Sequence, residues 1–319
     1  MHFITASYSN SYASMLAVCL QSIVDNVQKN NITVYWQDTD DDIICALQQL
    51  WPYISFVKTA YDISGSSCKK IPMKMQLWTE AIEKAWNDSL CFIDNDTVIC
   101  QTPESLLRDS DVIFTDKDEQ FQINTGVVLV NPSKTTIAFF QDWMQETMRI
   151  VRDERLLQQA VSPINPYGAA DQMALHRLLG YKKEKKIYSY HTTCGEVRLI
   201  AVPCSQYNQT NSVPLSPDIW IYHYKGGWRD ILFYGRHSPY RPACECWPMQ
   251  ILYLNIYRKV LRAMRAHNVA EDTIKKFCIY TPHYYDMRHG KLRRFKLWKR
   301  LCSDKIKSFL APMNFTTVL

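Results

Sequence analysis

The chain has 319 residues, of which 47% are hydrophobic, 21% charged and 13% aromatic, with only 9 Gly and 14 Pro. This composition excludes collagen-like, low-complexity and coiled-coil proteins, makes disorder untenable, and supplies enough apolar surface for one or two domains. The formal net charge of +6 is concentrated near the C-terminus, where residues 288–307 hold nine Lys and Arg against Asp304 alone, a local charge of +8 that leaves the rest of the chain at −2.

In chain order, His2 to Thr5 reads as a strand, Ser11 to Val27 as a helix, Ile32 to Trp36 as a strand, Asp40 to Leu50 as a helix and Ile54 to Val57 as a strand. Met73 to Trp86 has helical periodicity, and Ser89 to Ile93 is a short apolar strand. Alternation of this kind predicts an α/β fold: a mostly parallel sheet with helices on both faces. Ligands of such sheets sit beyond the carboxyl ends of the strands. Further on, Phe121 to Val130 is a strand, Ser133 to Leu157 one long amphipathic helix, 162–166 a loop, and Ala169 to Leu179 a helix stopped by Gly180. A Pro-rich aromatic stretch, Val202 to Pro248, contains short strands such as Ile219 to His223, and from Met249 the chain is helical and increasingly basic. No repeat or polar linker divides it. The expectation is one α/β domain over 1–240 with a helical extension over 241–319.

The longest apolar stretch near the N-terminus, Ala13 to Val24, is interrupted by Ser14, Gln21 and Ser22 and falls short of the ~20 residues a membrane span needs; no Lys or Arg precedes it as in a secretory signal. The cysteines number eleven, an odd count in apolar contexts such as Cys19, Cys45, Cys91 and Cys100, and read as reduced core thiols. The expected setting is therefore cytoplasmic. Cys244 and Cys246, with His237, Cys194 and Cys204, lack the spacer of a zinc site.

Four segments carry polar groups where chemistry is expected. Leu90 to Ile93 ends in Asp94-Asn95-Asp96, and the pair of carboxylates one residue apart can reach a single cation across a bend; oxygen ligands suit Mg²⁺ or Mn²⁺. Alone, such a pair also reads as a turn. Ile219 to His223 runs into Tyr224-Lys225-Gly226-Gly227-Trp228-Arg229, with an imidazole for the cation, glycines that let backbone approach a phosphate, and two cations to neutralise it. Asn124-Thr125-Gly126 opens a strand, and its plain alternative is a β-bulge. Asp171-Gln172 lies in the first turn of a helix, where an acid also serves the helix dipole.

In order and spacing these segments resemble the nucleotide-sugar glycosyltransferases of the GT-A fold, and most closely the retaining family 8. The family's patterns "AxDxxY…S", DxD, N-[SA]-G-V-x-L-[IV]-N, D-Q-x-x-[LF], L-P-x-x-[YW]-N and H-x-x-G-x-x-K-P-W have counterparts in Ala6 to Ser22, Asp94 to Asp96, Asn124 to Asn131, Asp171 to Leu175, Val202 to Asn208 and His223 to Arg229. The resemblance spans residues 1–235. It implies that Asp94, Asp96 and His223 bind the divalent metal, with Asp94 also near the ribose, and that Lys74 contacts the donor. It implies a donor site formed further by Ala6, Ser9, Tyr12, Asn95, Asn124, Gly126 and Lys225, with Gly226 and Arg229 facing the diphosphate. Asp171 and Gln172 are the implied catalytic groups, Gln172 beside the anomeric carbon. Two departures stand out: Ser9 occupies the place of the family's uracil-reading Asp, and Arg229 replaces the Lys of the missing Lys-Pro-Trp. The implied reaction moves a sugar from a nucleoside diphosphate, UDP being the family's usual one, to a glycan or glycolipid acceptor with retention.

Two rival classes share the Asp pair. A metal-dependent phosphoryl or nucleotidyl transferase needs a Gly-rich phosphate loop near the N-terminus, which the chain lacks. A sugar-nucleotide-binding protein without turnover would carry the same residues. In the basic tail, Phe295, Trp298, Cys302, Ile306 and Phe309 form one helical stripe flanked by Lys and Arg. That pattern suits an anionic membrane surface, or equally packing on the domain. Nucleic acid is not expected as a partner, since no binding module is present and the rest of the chain is slightly acidic.

Overall fold

A computed structural model describes residues 1–27, 31–61, 70–85, 88–117, 123–160, 169–210, 213–225 and 247–278. Eight strands form one twisted sheet: β1 (His2–Ser7), β2 (Asn31–Trp36), β3 (Ser55–Lys58), β4 (Leu90–Ile93), β6 (Val112–Asp116), β7 (Ile123–Val130), β8 (Ile187–Thr192) and β9 (Gly195–Pro203). Their order is β3-β2-β1-β4-β7-β6-β9-β8, and a second, two-stranded sheet pairs β10 (Ile221–His223) with β5 (Thr97–Ile99). Strands β3, β2, β1 and β4 are mutually parallel, β7 enters antiparallel between β4 and β6, β6 and β9 are parallel, and β8 and β9 make an antiparallel hairpin.

Every residue of β4, β6 and β7 is buried, as expected for central strands covered on both faces. Neighbouring residues in a strand point to opposite faces, and here they enter different cores. Phe3, Cys91 and Leu129 belong to one core with Leu16 and Leu20 of α1 (Ala13–Asn26) and Leu47 of α2 (Asp41–Leu50). Ile4, Phe92 and Val128 belong to the other, with Trp78 of α3 (Lys70–Lys84), Phe140 and Trp143 of α4 (Lys134–Arg152) and Leu175 of α6 (Ala170–Leu179). Pro72 is tolerated in α3 because it falls in the first turn, where backbone N–H groups have no intrahelical partner.

The elements expected from periodicity are present within a few residues, with one division. The expected helix over Ser133 to Leu157 is two helices, α4 and α5 (Glu154–Ala160), because Asp153 is extended (φ −93°, ψ 110°) and its carboxylate accepts from the N–H groups of Arg155 and Leu156, starting a new helix. At the front of α4, Ser133 and Thr136 form a capping box, and Gly180, at φ +51°, ends α6 in the left-handed region. Of the cysteines expected in the core, Cys19 and Cys91 are buried and Cys100 half-buried, whereas Cys45 is exposed on α2; all four are free thiols.

The one-turn helix α7 (Cys204–Tyr207) follows β9, and two helices close the described chain: α8 (Trp247–Ala266) and α9 (Glu271–Cys278). Met249, Tyr253, Tyr257, Val260, Ile274 and Phe277 join the same core as α1. No described helix is long and apolar enough to cross a membrane.

Candidate active site

The carboxyl end of β4 converts an apolar strand into a cluster of charge. Asp94 leaves the strand with its N–H donated to the Gly126 carbonyl (2.9 Å). The turn is held from the side by Asn95, whose Nδ2 donates to the Ala6 carbonyl at the end of β1 (2.8 Å). Beyond it Asp96 is buried, and its carbonyl accepts from the Tyr224 N–H (2.8 Å), which draws in the chain after β10.

His223, the last residue of β10, is 2% exposed and directs Nε2 at Asp96 Oδ1 (3.0 Å) and Asp94 Oδ2 (3.6 Å). One ligand atom from each of Asp94, Asp96 and His223 lies within 4.8 Å of the others. Adjacent ligands of an octahedral ion with bonds of ~2.1 Å stand about 3 Å apart, so two carboxylates and one imidazole so arranged fit a hard divalent cation.

Gly126 is what lets His223 in. A Cβ at this position would stand 2.4 Å from His223 Cε1 and 2.6 Å from its Nδ1. The β6 and β7 ladder slips here, with Phe114 opposite Val128 but Thr115 opposite Asn124, so residues 125–127 bulge out of it. The bulge is thus real, and it serves the site. Asn124 is buried; its Oδ1 accepts the Gly126 N–H (2.8 Å), while its Nδ2 finds no partner among the described residues. A buried amide donor left open is costly.

Lys74 of α3 forms the second half of the cluster. Its Nζ lies 3.1 Å from Asp94 Oδ1 and 3.6 Å from Asp171 Oδ2, donates to the Thr125 carbonyl (3.1 Å), and sits over the Trp78 ring. Burial opposes its charge, but Asp94, Asp171 and Asp96 outweigh burial and hold its pKa above the ordinary lysine value. Asp171, in the first turn of α6, also accepts from the Thr125 hydroxyl (2.6 Å), and its carbonyl accepts from the Trp143 indole (2.8 Å). Gln172, next along α6, is half-buried.

Ser9, Tyr12 and Lys225 belong to other segments. Ser9 precedes the 3₁₀ turn Asn10–Tyr12 after β1, with its hydroxyl against that of Ser11 and no side-chain bond to the turn's backbone, and Tyr12 ends that turn half-buried. Lys225 follows the His223 strand; burial pushes the Cys204 thiol up to about 11, offset in part by a hydrogen bond with Thr115 and then by the charges of Lys225 and Lys117. Gly226 and Arg229 lie outside the described residues, as do the loop at 162–166, Cys244, Cys246 and the basic stripe. Sequence reasoning missed Thr115, Thr125 and Trp143, and assigned no role to Asn208. The available signal was the polar residue closing the apolar run Val112-Ile113-Phe114, the same pattern that marks Asp94.

Residues 86–204 match the family model described as nucleotide-diphospho-sugar transferase. No curated protein matches the chain. Among solved structures, the chain is similar to the glycosyltransferase GlyE of Streptococcus pneumoniae TIGR4, at 12% identity and a TM-score of 0.51 over 84% of this chain and 64% of that one. A galactosyltransferase, LgtC, crystallised with donor and acceptor sugar analogues, matches at 14% identity and a TM-score of 0.47 over 86% of this chain and 100% of its own. The chain thus spans just under two thirds of the GlyE structure's length. The likeness to GlyE is one of fold, the α/β architecture of GT-A glycosyltransferases, and with the family-model match it supports a glycosyltransferase.

Proposed function

We propose that the protein is a divalent-cation-dependent glycosyltransferase that moves a sugar from a nucleoside diphosphate sugar to a glycan or glycolipid acceptor with retention of configuration. The observation that carries this reading is the convergence of Asp94, Asp96 and His223 on one point beside Lys74, Asp171 and the open Nδ2 of Asn124.

Asp94, Asp96 and His223 would hold Mn²⁺ or Mg²⁺, which when bound supplies positive charge to the diphosphate as it departs. Lys74 stands between Asp94 and Asp171 and holds the two carboxylates in a fixed relation. Asn124 offers its unpaired amide to a sugar hydroxyl. Lys225, with Gly226 and Arg229 from the matched motif, would face the diphosphate, while Ala6, Ser9 and Tyr12 would border the nucleoside. Ser9 in place of an acid leaves the base without a charged reader, so UDP is proposed from the resemblance alone. In the reaction the C1–O bond to phosphate breaks, the acceptor oxygen bonds C1 on the same face, and the acceptor's proton passes to the departing phosphate oxygen. Asp171 and Gln172 would flank this exchange.

The basic stripe over residues 288–310 supports a further part of the reading, peripheral contact with an anionic membrane at its cytoplasmic face, which suits a glycolipid acceptor. A thermal-shift screen of nucleoside diphosphates and nucleotide sugars, with and without Mn²⁺, tests the central reading. Binding to the native state raises the melting temperature by mass action, and the rise should require the cation and vanish in Asp96→Ala. A donor that raises the melting temperature equally in excess chelator would overturn it. Proton NMR of the first-formed product decides the stereochemistry.

A further inference from the structure

His223 Nδ1, the ring nitrogen turned away from the carboxylates, lies 2.9 Å from Asn208 Oδ1, and Asn208 Nδ2 donates to Thr115 Oγ1 (2.9 Å). The Thr115 hydroxyl in turn donates to the Asn124 carbonyl (2.7 Å). Asn208 is fully buried and Thr115 is 1% exposed, so water does not compete for these bonds.

The direction of this chain of bonds follows from its far end. A backbone carbonyl can only accept, so the one hydroxyl proton of Thr115 is committed to Asn124, and Thr115 Oγ1 can then only accept from Asn208. The Asn208 atom facing Thr115 must be the NH₂ group, and the atom facing His223 must be the carbonyl oxygen. His223 Nδ1 therefore carries a proton, which leaves Nε2, the nitrogen that faces Asp94 and Asp96, as the ring atom able to give its lone pair to a cation.

We propose that Thr115 and Asn208 are positioning residues that fix His223 in its Nδ1–H form, so that Nε2 is presented as a ligand to the cation. The proposal rests on the reading of Asp94, Asp96 and His223 as a cation site. Outer partners of this kind orient a ligating imidazole and choose its tautomer, and losing one costs about 10- to 100-fold in metal affinity.

The test is Mn²⁺ binding to the full chain, with Mn²⁺ alone as the probe, followed by the fall of the free-ion EPR signal and by nitrogen modulation in pulsed EPR of the bound ion. Asn208→Leu should weaken binding about 10- to 100-fold and remove the imidazole nitrogen modulation. Asn208→Asp keeps an acceptor opposite Nδ1 and should retain both signals, an outcome that a merely structural role for a buried neutral amide does not produce. Thr115→Val should weaken binding, and Thr115→Ser should restore it. If Asn208→Leu fails to fold, the Asn208→Asp and Thr115 variants decide. Wild-type affinity and nitrogen modulation in Asn208→Leu, or in Thr115→Val, would overturn the relay while leaving the cation site standing. Absence of Mn²⁺ binding by the wild-type chain would instead overturn the cation reading itself.

Discussion

Gly126 and Lys74 act on the same cluster in opposite ways, one by leaving space and the other by supplying charge. Gly126→Ala forces a methyl group against the His223 ring, and since that ring is enclosed, it must turn. Mn²⁺ affinity measured by EPR should fall about tenfold or more, while far-UV circular dichroism stays native. Lys74→Met removes the cation that stands between Asp94 and Asp171. Urea unfolding of the cation-free protein should show a loss of about 1.5–3 kcal/mol, the range for hydrogen bonds to charged groups. The pKa of Lys74 is raised on folding, so its contribution is fully present below the ordinary lysine value of about 10.4 and is lost only as pH rises through the folded value. The difference between wild type and Lys74→Met should therefore be constant from about pH 6 to pH 9, and a difference that fades within that window contradicts the ion pairs.

At the scale of elements, α4 links the second core to the site. Trp143 is fully buried, packs against Trp78, Phe139 and Phe140 with ring centroids 5.2–5.9 Å apart, and still directs its indole N–H at the Asp171 carbonyl. Trp143→Ala should cost about 3–5 kcal/mol by urea unfolding. Trp143→Phe keeps most of the packing, should cost less, and isolates the bond that anchors the first turn of α6. The strands show where periodicity suffices and where it does not. The runs 90–93 and 127–130 are apolar throughout, as strands buried on both faces must be, and are readable directly. In the β8 and β9 hairpin only Glu196 to Leu199 alternates cleanly, exposed with buried, while the outer strand β8 is polar and half exposed and carries a weaker signal. The Asp153 break likewise depends on a single aspartate turning its carboxylate onto the next helix.

For the whole molecule, charge divides the chain into a slightly acidic body and a strongly basic segment at 288–307. The proposed membrane contact rests on this segment: each basic residue near an anionic surface contributes about 1 kcal/mol, so nine, heavily discounted for screening, would give reversible attachment. Sedimentation with vesicles should show binding that requires anionic lipid, weakens with salt and disappears on truncation after Asp286. An intact chain that ignores anionic vesicles at low salt would assign the stripe to packing on the domain instead.

Strand and helix alternation, the abrupt change from apolar to acidic at Asp94, and the glycine at 126 are properties of short stretches of chain, and the sequence by itself determined them. Which polar strand ends meet is a different matter. It depends on β7 entering antiparallel beside β4 and on β10 pairing with β5, and so on strand order. Lys74 and Asp171 are 97 positions apart and Asp96 and His223 are 127 apart, distances over which no local period carries information. The tertiary structure decided that Lys74 serves two carboxylates, that Trp143 reaches Asp171, and that Thr115 and Asn208 stand behind His223. The physical reason is that burial selects the faces of strands and helices from local pattern alone, whereas the closure of charge and hydrogen bonds at a site is settled only when distant segments share one desolvated space.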